Sequence, residues 1–526
     1  MDGAEIISGV KKKLPGFNAI SVLQNYPDEI YIKVDPLIFE DTCLTLHKIL
    51  PSPVMMFFAV DECAKSGKFE IKCIFVNVKK QQWIIISMDI PERNPSFKSL
   101  AKNMHSASLF EREIWEMFGI EPKGHPDLRR LRLHDEVSAK ENYPLRKDFK
   151  KIQSGNLSDY KFDRVEGKGI FEVPVGPVHA GIIGPGHFRF SVAGEPIINL
   201  EIRLGFTHRG VEKLFEGRSY SEAIKLSECV SGDSSFAHSL ACTQAFEKIF
   251  GVPVSSQTAY LRAIFLELER MYNHVNDIGG IAVDVGFSFP SAYASIMKET
   301  ILQLNEKLTG GRYLKNINTI GGVLTEIDEA KKEMLLEFLK KIKYDFNELV
   351  KILNSSVSFM DRVDTAGVLR RKTAEDLGVV GLAGRASGIP IDLRKYFPGV
   401  YKEVKFKMVT QESGDVLARL KVRMFEFEES CRLIEEFTKK LTGRDTINPH
   451  REARKGFALG YAEGWRGPVL YWIQADAAGL LIERCKIVDP SFHNWQGLSY
   501  AVLGNIIPDF PLCNKSFDLS YSGNDL

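Results

Sequence analysis

The apolar positions of this chain change their spacing twice. In the first 150 residues they gather in short β-branched and aromatic runs: YIKVD (31–35), VMMFFAV (54–60), FEIKCIFVNV (69–78) and QWIIISMDI (82–90). Polar or glycine-bearing turns separate these runs, which predicts strands. SLFEREIWEMFGI (108–120) then sets Leu109, Ile114, Met117 and Phe118 at helical spacing. GHPDLRRLRLHDE (124–136) and YPLRKDF (143–149) read as basic, extended, turn-rich segments. Residues 151–170 carry few apolar anchors and read as a linker.

From residue 171 the pattern starts again. A glycine- and proline-rich loop precedes FRFSVAGEPIINLEIRLG, which alternates like a β-hairpin with AGE at its turn. After Arg218 helical spacing takes over at 221–250, 257–277, 328–354, 402–441 and 468–486. GLAGRASGIPIDLRKYFP (381–398) is the main interruption. The expected class is α+β: an α/β domain over 1–150, a linker over 151–170, and a mainly helical bundle with a small hairpin region over 171–526. Ligand sites in bundles are built from side chains on facing helices.

One stretch breaks its own pattern. Between Ser221 and Phe250, the residues Ala223, Leu226, Val230, Ala237, Leu240, Ala241, Phe246 and Ile249 form a helical stripe. Ser231, Gly232, Asp233, Ser234 and Ser235 interrupt it. Small polar side chains compete for backbone hydrogen bonds and glycine adds backbone entropy, so five in a row fill a helix poorly. Either something polar lies against a buried helix here, or a new helix begins near Asp233 with Ser234 or Ser235 as its cap.

Composition narrows the classes. With 526 residues the chain exceeds a single core. A net charge of +1 gives no nucleic-acid footprint. No run approaches the ~18 apolar residues of a membrane span, and the first residues lack a signal-peptide pattern, so a cytoplasmic location is expected. The eight cysteines include no CxxC pair, which excludes a local zinc or iron–sulfur motif. Buried reduced thiols are the plain expectation for them.

EREIWEMFGI, GHPDLRRLRL and YPLRKDF, in that order, resemble the 30 kDa subunit of respiratory complex I and its hydrogenase relatives. The resemblance implies that Arg129, Arg130, Arg132, Arg146 and Lys147 touch other subunits rather than form a solvated basic face. Residues 171–526 resemble the nickel–iron hydrogenase large subunit and the homologous 49 kDa subunit of complex I. GPVHAGIIGPGHFRF, THRGVEKL, GLAGRASGIPIDLR, EGWRGPVLY, DPSFHNW and IPDFPLCNKSF carry that likeness. The fused arrangement is similar to energy-converting hydrogenases and their relatives that lack the nickel ligands.

Such hydrogenases hold nickel and iron with four cysteines in two CxxC motifs, because soft anionic thiolates can bridge two metals. On this chain the first motif falls at Glu228–His238, and both cysteine positions are serines, Ser231 and Ser234. The second falls between Asp509 and Asp518, where Cys513 remains and Ser516 replaces its partner. Nickel–iron binding is therefore not expected. The polar break would line the emptied pocket, together with Glu228, His238 and Ser516. A new site from Cys229, His238, Cys513 and Asp233 is the minor alternative. Arg466 matches the arginine beside the metal, with Asp233, Asp509 or Asp518 as candidate partners. His179 and His187, on the glycine-rich loop, are candidates for proton handling or a quinone headgroup. Gly184 stands where the family loop carries a glutamate, and Cys229 stands where complex I has its quinone-binding tyrosine.

The resemblance implies a cytoplasmic, peripheral subunit of a membrane-bound, ion-pumping redox complex. Its partners would be an iron–sulfur small subunit of the 20 kDa type, a ferredoxin-like subunit, and antiporter-like and quinone-site membrane subunits. A purely structural coupling subunit and a hydrogenase with unusual ligands are the alternatives.

Overall fold

The computed structural model describes residues 3–14, 16–134, 143–150, 160–181, 183–442 and 454–526. Residues 135–136 of the basic segment and 151–159 of the expected linker lie outside the described residues.

The four strands expected in the N-terminal region form at Glu29–Val34, Met56–Asp61, Lys68–Asn77 and Gln82–Pro91. Ala19–Tyr26 adds an edge strand, and the sheet order runs from it through Glu29–Val34, Gln82–Pro91 and Lys68–Asn77 to Met56–Asp61. Only the pairing of Glu29–Val34 with Gln82–Pro91 is parallel within this sheet. Helix Ser108–Phe118 packs on strand Met56–Asp61 and ends at Gly119, whose φ of 69° suits a residue without Cβ.

The segment 468–486 is not a helix. It forms strands Pro468–Ala475 and Ile482–Val488, which join Phe457–Glu463 in an antiparallel sheet. The central strand is covered on both faces, so its apolar residues run continuously and imitate helical spacing. Leu470 and Trp472 point into the N-terminal core, and Val469, Tyr471 and Ile473 into the helical core. Trp472 packs on Phe58 at 5.0 Å between ring centroids, and Trp83 stacks on Phe397 at 5.1 Å.

The hairpin forms as expected, from His187–Ala193 and Ile197–Arg203, with Ile170–Val175 as a third strand. The helical part centres on Ser256–Asp284, packed against Ser288–Thr309 and Val416–Lys440, with Glu329–Ser355 outside them. The expected helix 402–441 begins only at Val416. Gly414 has a φ of 68° and packs tightly on the Leu369 carbonyl, and Asp415 caps the helix by accepting from the Ala418 N–H. No helix among the described residues is long and apolar enough to cross a membrane.

The basic residues near 130–147 bind this chain itself. Arg132 is buried against Glu113 at 3.1 Å. Arg129 reaches Asp127 and Glu201, both at 2.6 Å. Arg146 donates from Nε to the Phe118 carbonyl at 2.6 Å, and Lys147 pairs with Glu216 at 2.9 Å. A buried cluster completes the joint: Lys486 holds Glu113 at 2.6 Å and Glu212 at 2.9 Å, and Arg484 holds Glu212 at 2.8 Å.

Candidate functional site

The stripe from 221 to 250 divides into two helices, Tyr220–Ser227 and Ser235–Phe250, with 228–234 as a turn between them. Ser219 and Glu222 close the first helix with a reciprocal capping box. The second begins at the break, as one of the two sequence readings required. Its Ser234, in the N-cap position, makes no capping bond. Glu269 takes that role from the neighbouring helix, accepting from the N–H groups of Phe236 at 2.7 Å and Ala237 at 3.1 Å. Glu269 is fully buried, and loss of solvent raises its carboxyl to about 8 despite those two donors. Sequence reading missed Glu269. The signal was ELERMYNHVND, where charges fall all round a helix that is buried all round.

The turn is organised by Asp233. Arg466 grips its carboxylate in a bidentate pair, Nη1 to Oδ1 at 2.9 Å and Nη2 to Oδ2 at 2.6 Å. Ser231 Oγ donates to Asp233 Oδ1 at 2.8 Å, and Ser234 Oγ approaches the same oxygen at 3.4 Å. The Asp233 carbonyl accepts from Asn273 at 2.8 Å and from the Trp465 indole at 3.2 Å. Arg466 also donates to the Asp518 carbonyl, reaches its carboxylate at 3.5 Å, and lies over the Trp465 ring. Burial works against its charge, but Asp233 and Asp518 outweigh it and raise the guanidinium.

This arrangement joins the two motif halves. Ser231 Oγ and Ser520 Oγ are 2.8 Å apart, and Arg466 bridges Asp233 to Asp518. Ser516 is spent on local bonds: it donates to the Cys513 carbonyl at 2.6 Å and accepts from Arg419 Nε at 2.8 Å. Cys513 is buried beside Gly367 and Arg419, and burial pushes its thiol up to about 12. Asp509 is not brought in; it pairs with Arg362 at 3.0 Å, so Asp233 and Asp518 are the partners of Arg466. Cys229 is exposed. Among the described residues, no three His, Cys, Asp or Glu side chains group as a metal ion would need.

Of the other candidates, Glu228 accepts from the Asn316 N–H at 2.7 Å, and burial raises it to about 7. His238 is buried between Tyr471 at 2.9 Å and Asp489 at 3.1 Å, in a structural bridge to the C-terminal sheet. The two loop histidines part company. His179 Nδ1 meets the Pro177 carbonyl at 3.1 Å, and its ring lies 6.4 Å from that of Tyr521, next to Ser520. His187 faces Phe162, with Arg189, Arg203 and Glu201 as its charged neighbours; burial lowers it. Tyr521 packs directly on Gly184: a Cβ there would stand 2.7 Å from the tyrosine Cβ. Tyr521 thus covers the backbone where the family glutamate would project.

Residues 32–154 match the family model of the respiratory-chain NADH dehydrogenase 30 Kd subunit, and residues 284–455 that of the 49 Kd subunit. Over 486 residues the chain is 33% identical to formate hydrogenlyase subunit 5 of Escherichia coli, covering 89% of this chain and 84% of that one. The chain belongs to the fused 30 kDa/49 kDa family of complex I and hydrogenase subunits. Hydrogenase-4 component G of Escherichia coli is 30% identical over 99% of this chain and 92% of its own length. The C/D subunit of the NADH-quinone oxidoreductase of Phocaeicola vulgatus is 30% identical over 73% of this chain and 78% of its own. A chain in the structure of the membrane-bound sulfane sulfur reductase, an archaeal respiratory membrane complex, shares the fold, with a TM-score of 0.64 at 24% identity, over 70% of this chain and 100% of that one. These family members are named as subunits or components of larger assemblies, and the present chain is a subunit of the same kind.

Proposed function

We propose that this chain is the large peripheral subunit, on the cytoplasmic side, of a membrane-bound, ion-pumping redox complex, and that fixed charges stand in its pocket in place of nickel and iron. The observation that carries this reading is the bidentate Arg466–Asp233 pair, with Ser231 hydrogen-bonded to the same carboxylate. The donor set does not fit a nickel–iron pair. Serine hydroxyls are hard, neutral donors, and these are committed to Asp233, Ser520 and Arg419. The one thiol left is held protonated by burial. Electrons would arrive through iron–sulfur clusters on partner subunits, a small subunit of the 20 kDa type and a ferredoxin-like one, since this chain has no cysteine set for a cluster. Antiporter-like and quinone-site membrane subunits would complete the assembly. A quinone headgroup has two candidate contacts here, His179 and His187, whose Nε2 atoms have no hydrogen-bond partner among the described residues; His179 is the one beside Tyr521.

Metal analysis of the purified complex tests the reading: nickel far below one atom per chain is expected, and one nickel per chain overturns it. The way Tyr521 covers Gly184 favours a second reading, a coupling subunit with no redox site of its own. Quinone bound in the purified complex, or inhibition by quinone-site ligands that a His179→Ala variant relieves, would decide against that second reading.

A further inference from the structure

Beyond the turn, the pocket continues as a row of side chains of alternating charge, buried at Arg466, Asp277 and Arg423 and partly exposed at Asp233, Asp518 and Lys515. Asp233 meets Arg466, Arg466 meets Asp518, and Asp518 Oδ1 meets Lys515 Nζ at 2.8 Å. Lys515 Nζ then meets Asp277 Oδ1 at 3.3 Å, and Asp277 Oδ2 accepts from Arg423 Nε at 2.9 Å. Five parts of the chain supply the row: the 228–234 turn, the loop carrying Arg466, the helix Phe510–Phe517 with Asp518 at its end, and the long helices Ser256–Asp284 and Val416–Lys440. Three carboxylates balance three cations, so the row is neutral as it stands.

Asp277 is the enclosed carboxylate of the row, and a polar path leads from it toward a second side of the molecule. Its side chain is fully buried, yet Asn276 Nδ2 lies 3.4 Å from its Oδ1, and Asn276 Oδ1 takes a hydrogen bond from the half-buried Lys298 at 2.9 Å. A separate observation marks the same place. Arg423 is also fully buried, and its Nη2 has no hydrogen-bond partner among the described residues, although its Nε is committed to Asp277 and its Nη1 to the Arg419 carbonyl. A donor left free in a closed interior is costly unless something polar visits it. Gly280, one turn on from Asp277, leaves room for the Lys515 stem, because a Cβ there would fall on the lysine chain.

The geometry points to Asp277 as a buried proton-binding site that exchanges with solvent on the side of Lys298 and Asn276 and communicates through Lys515 with Asp518 at the site. One proton converts the Asp277 carboxylate to the acid and leaves the row one positive charge in excess. Lys515 then keeps only Asp518 as a charged partner. The groups that face Asp277 decide how readily this happens. Burial raises its carboxyl, the Asp518 carboxylate raises it further, and Lys515 and Arg423 pull it down. Asp518 moves the other way, because Lys515 and Arg466 overcome its burial. Lys298 on the neighbouring helix, Asp284 on the same helix and Arg419 beside Arg423 are the remaining charges nearby.

Infrared titration of the purified complex, with isotope-labelled aspartate and with Asp284→Asn in every sample because burial raises that carboxyl too, tests the assignment without turnover. A protonated-carboxyl band is expected to grow as pH falls while still above the ordinary aspartate range of about 3.9. Asp277→Asn should abolish it. Lys515→Met should move its midpoint upward by about one pH unit, a tenfold gain in proton affinity, because an ammonium that favours the carboxylate is gone. Lys515→Arg, which keeps the charge, should leave it within a few tenths of a unit. A band that persists in Asp277→Asn, or a midpoint unmoved in Lys515→Met, overturns the assignment. Should Asp277→Asn not fold, the Lys515 pair of variants decides alone.

Discussion

Glu269 and Phe236 sit on different helices, and the carboxylate of one accepts from a first-turn N–H of the other at 2.7 Å. A side chain thirty-three residues away in sequence therefore does the work that a cap normally does from the adjoining residue. Glu269→Ala leaves two buried donors unsatisfied and is expected to cost roughly 2–4 kcal/mol, against about 1 kcal/mol for Glu269→Gln, which keeps one acceptor. The carboxyl is raised in the folded chain, so its stabilisation is complete below the unfolded value and is lost as pH climbs through about 8. Thermal unfolding between pH 5 and 8 should show this decline in wild type and not in Glu269→Gln.

Arg466→Met strips one cation from two carboxylates. Asp518 is mostly buried, but the Asp233 side chain is 39% exposed, so the expected cost is roughly 2–3 kcal/mol, below that of a fully buried pair. Adding Asp233→Asn should return part of it. A double-mutant cycle in urea measures the coupling, and strict additivity of the two losses would show that the pair contributes nothing.

The thiols should separate by burial. Cys229 is exposed, whereas Cys513 is buried with its thiol pushed up to about 12. Brief alkylation of the purified protein near pH 8, followed by peptide mass spectrometry, should label Cys229 and spare Cys513 until the chain is unfolded. Rapid labelling of Cys513 would remove the case for a closed pocket.

Lys486 is placed between Glu113 and Glu212 in the joint between the N-terminal sheet and the rest of the chain. Lys486→Met is expected to cost about 3–5 kcal/mol by leaving two buried carboxylates short of a partner. Burial opposes the Glu212 charge, but Lys486 and then Arg484 overcome it and hold the carboxyl low. The stability it supplies is thus present above the usual glutamate range and lost as pH falls below it. The stability of the variant should fall less steeply with acid than that of wild type, read as the slope of the unfolding free energy against pH below the usual glutamate range.

Sequence pattern carried the N-terminal sheet through dense β-branched and aromatic runs set between turns, the hairpin through alternation, and the break at Ser231–Ser235 through its run of small polar residues. It failed at Pro468–Ala475, where a strand covered on both sides loses its alternation. The helix Ser288–Thr309 escaped too, since its buried residues, among them Ala294, Ile301 and Leu308, are diluted by polar ones. At the site, Arg466, Asp233 and Asp518 were legible as partners because a buried cation demands one. Asp277, Lys515 and Arg423 were not, because long-range ion pairs leave no local spacing to read.

The core shared by Phe58, Trp83, Phe397 and Trp472 gives the fused chain a property that two separate subunits would lack. Each part presents its partner surface at a local concentration set by a short tether rather than by expression level, so docking becomes intramolecular and nearly independent of dilution. The two parts are made in equal number and meet before either can find a wrong partner. Cutting the tether after folding should leave them associated, whereas making them apart would expose an aromatic sheet face large enough to drive aggregation.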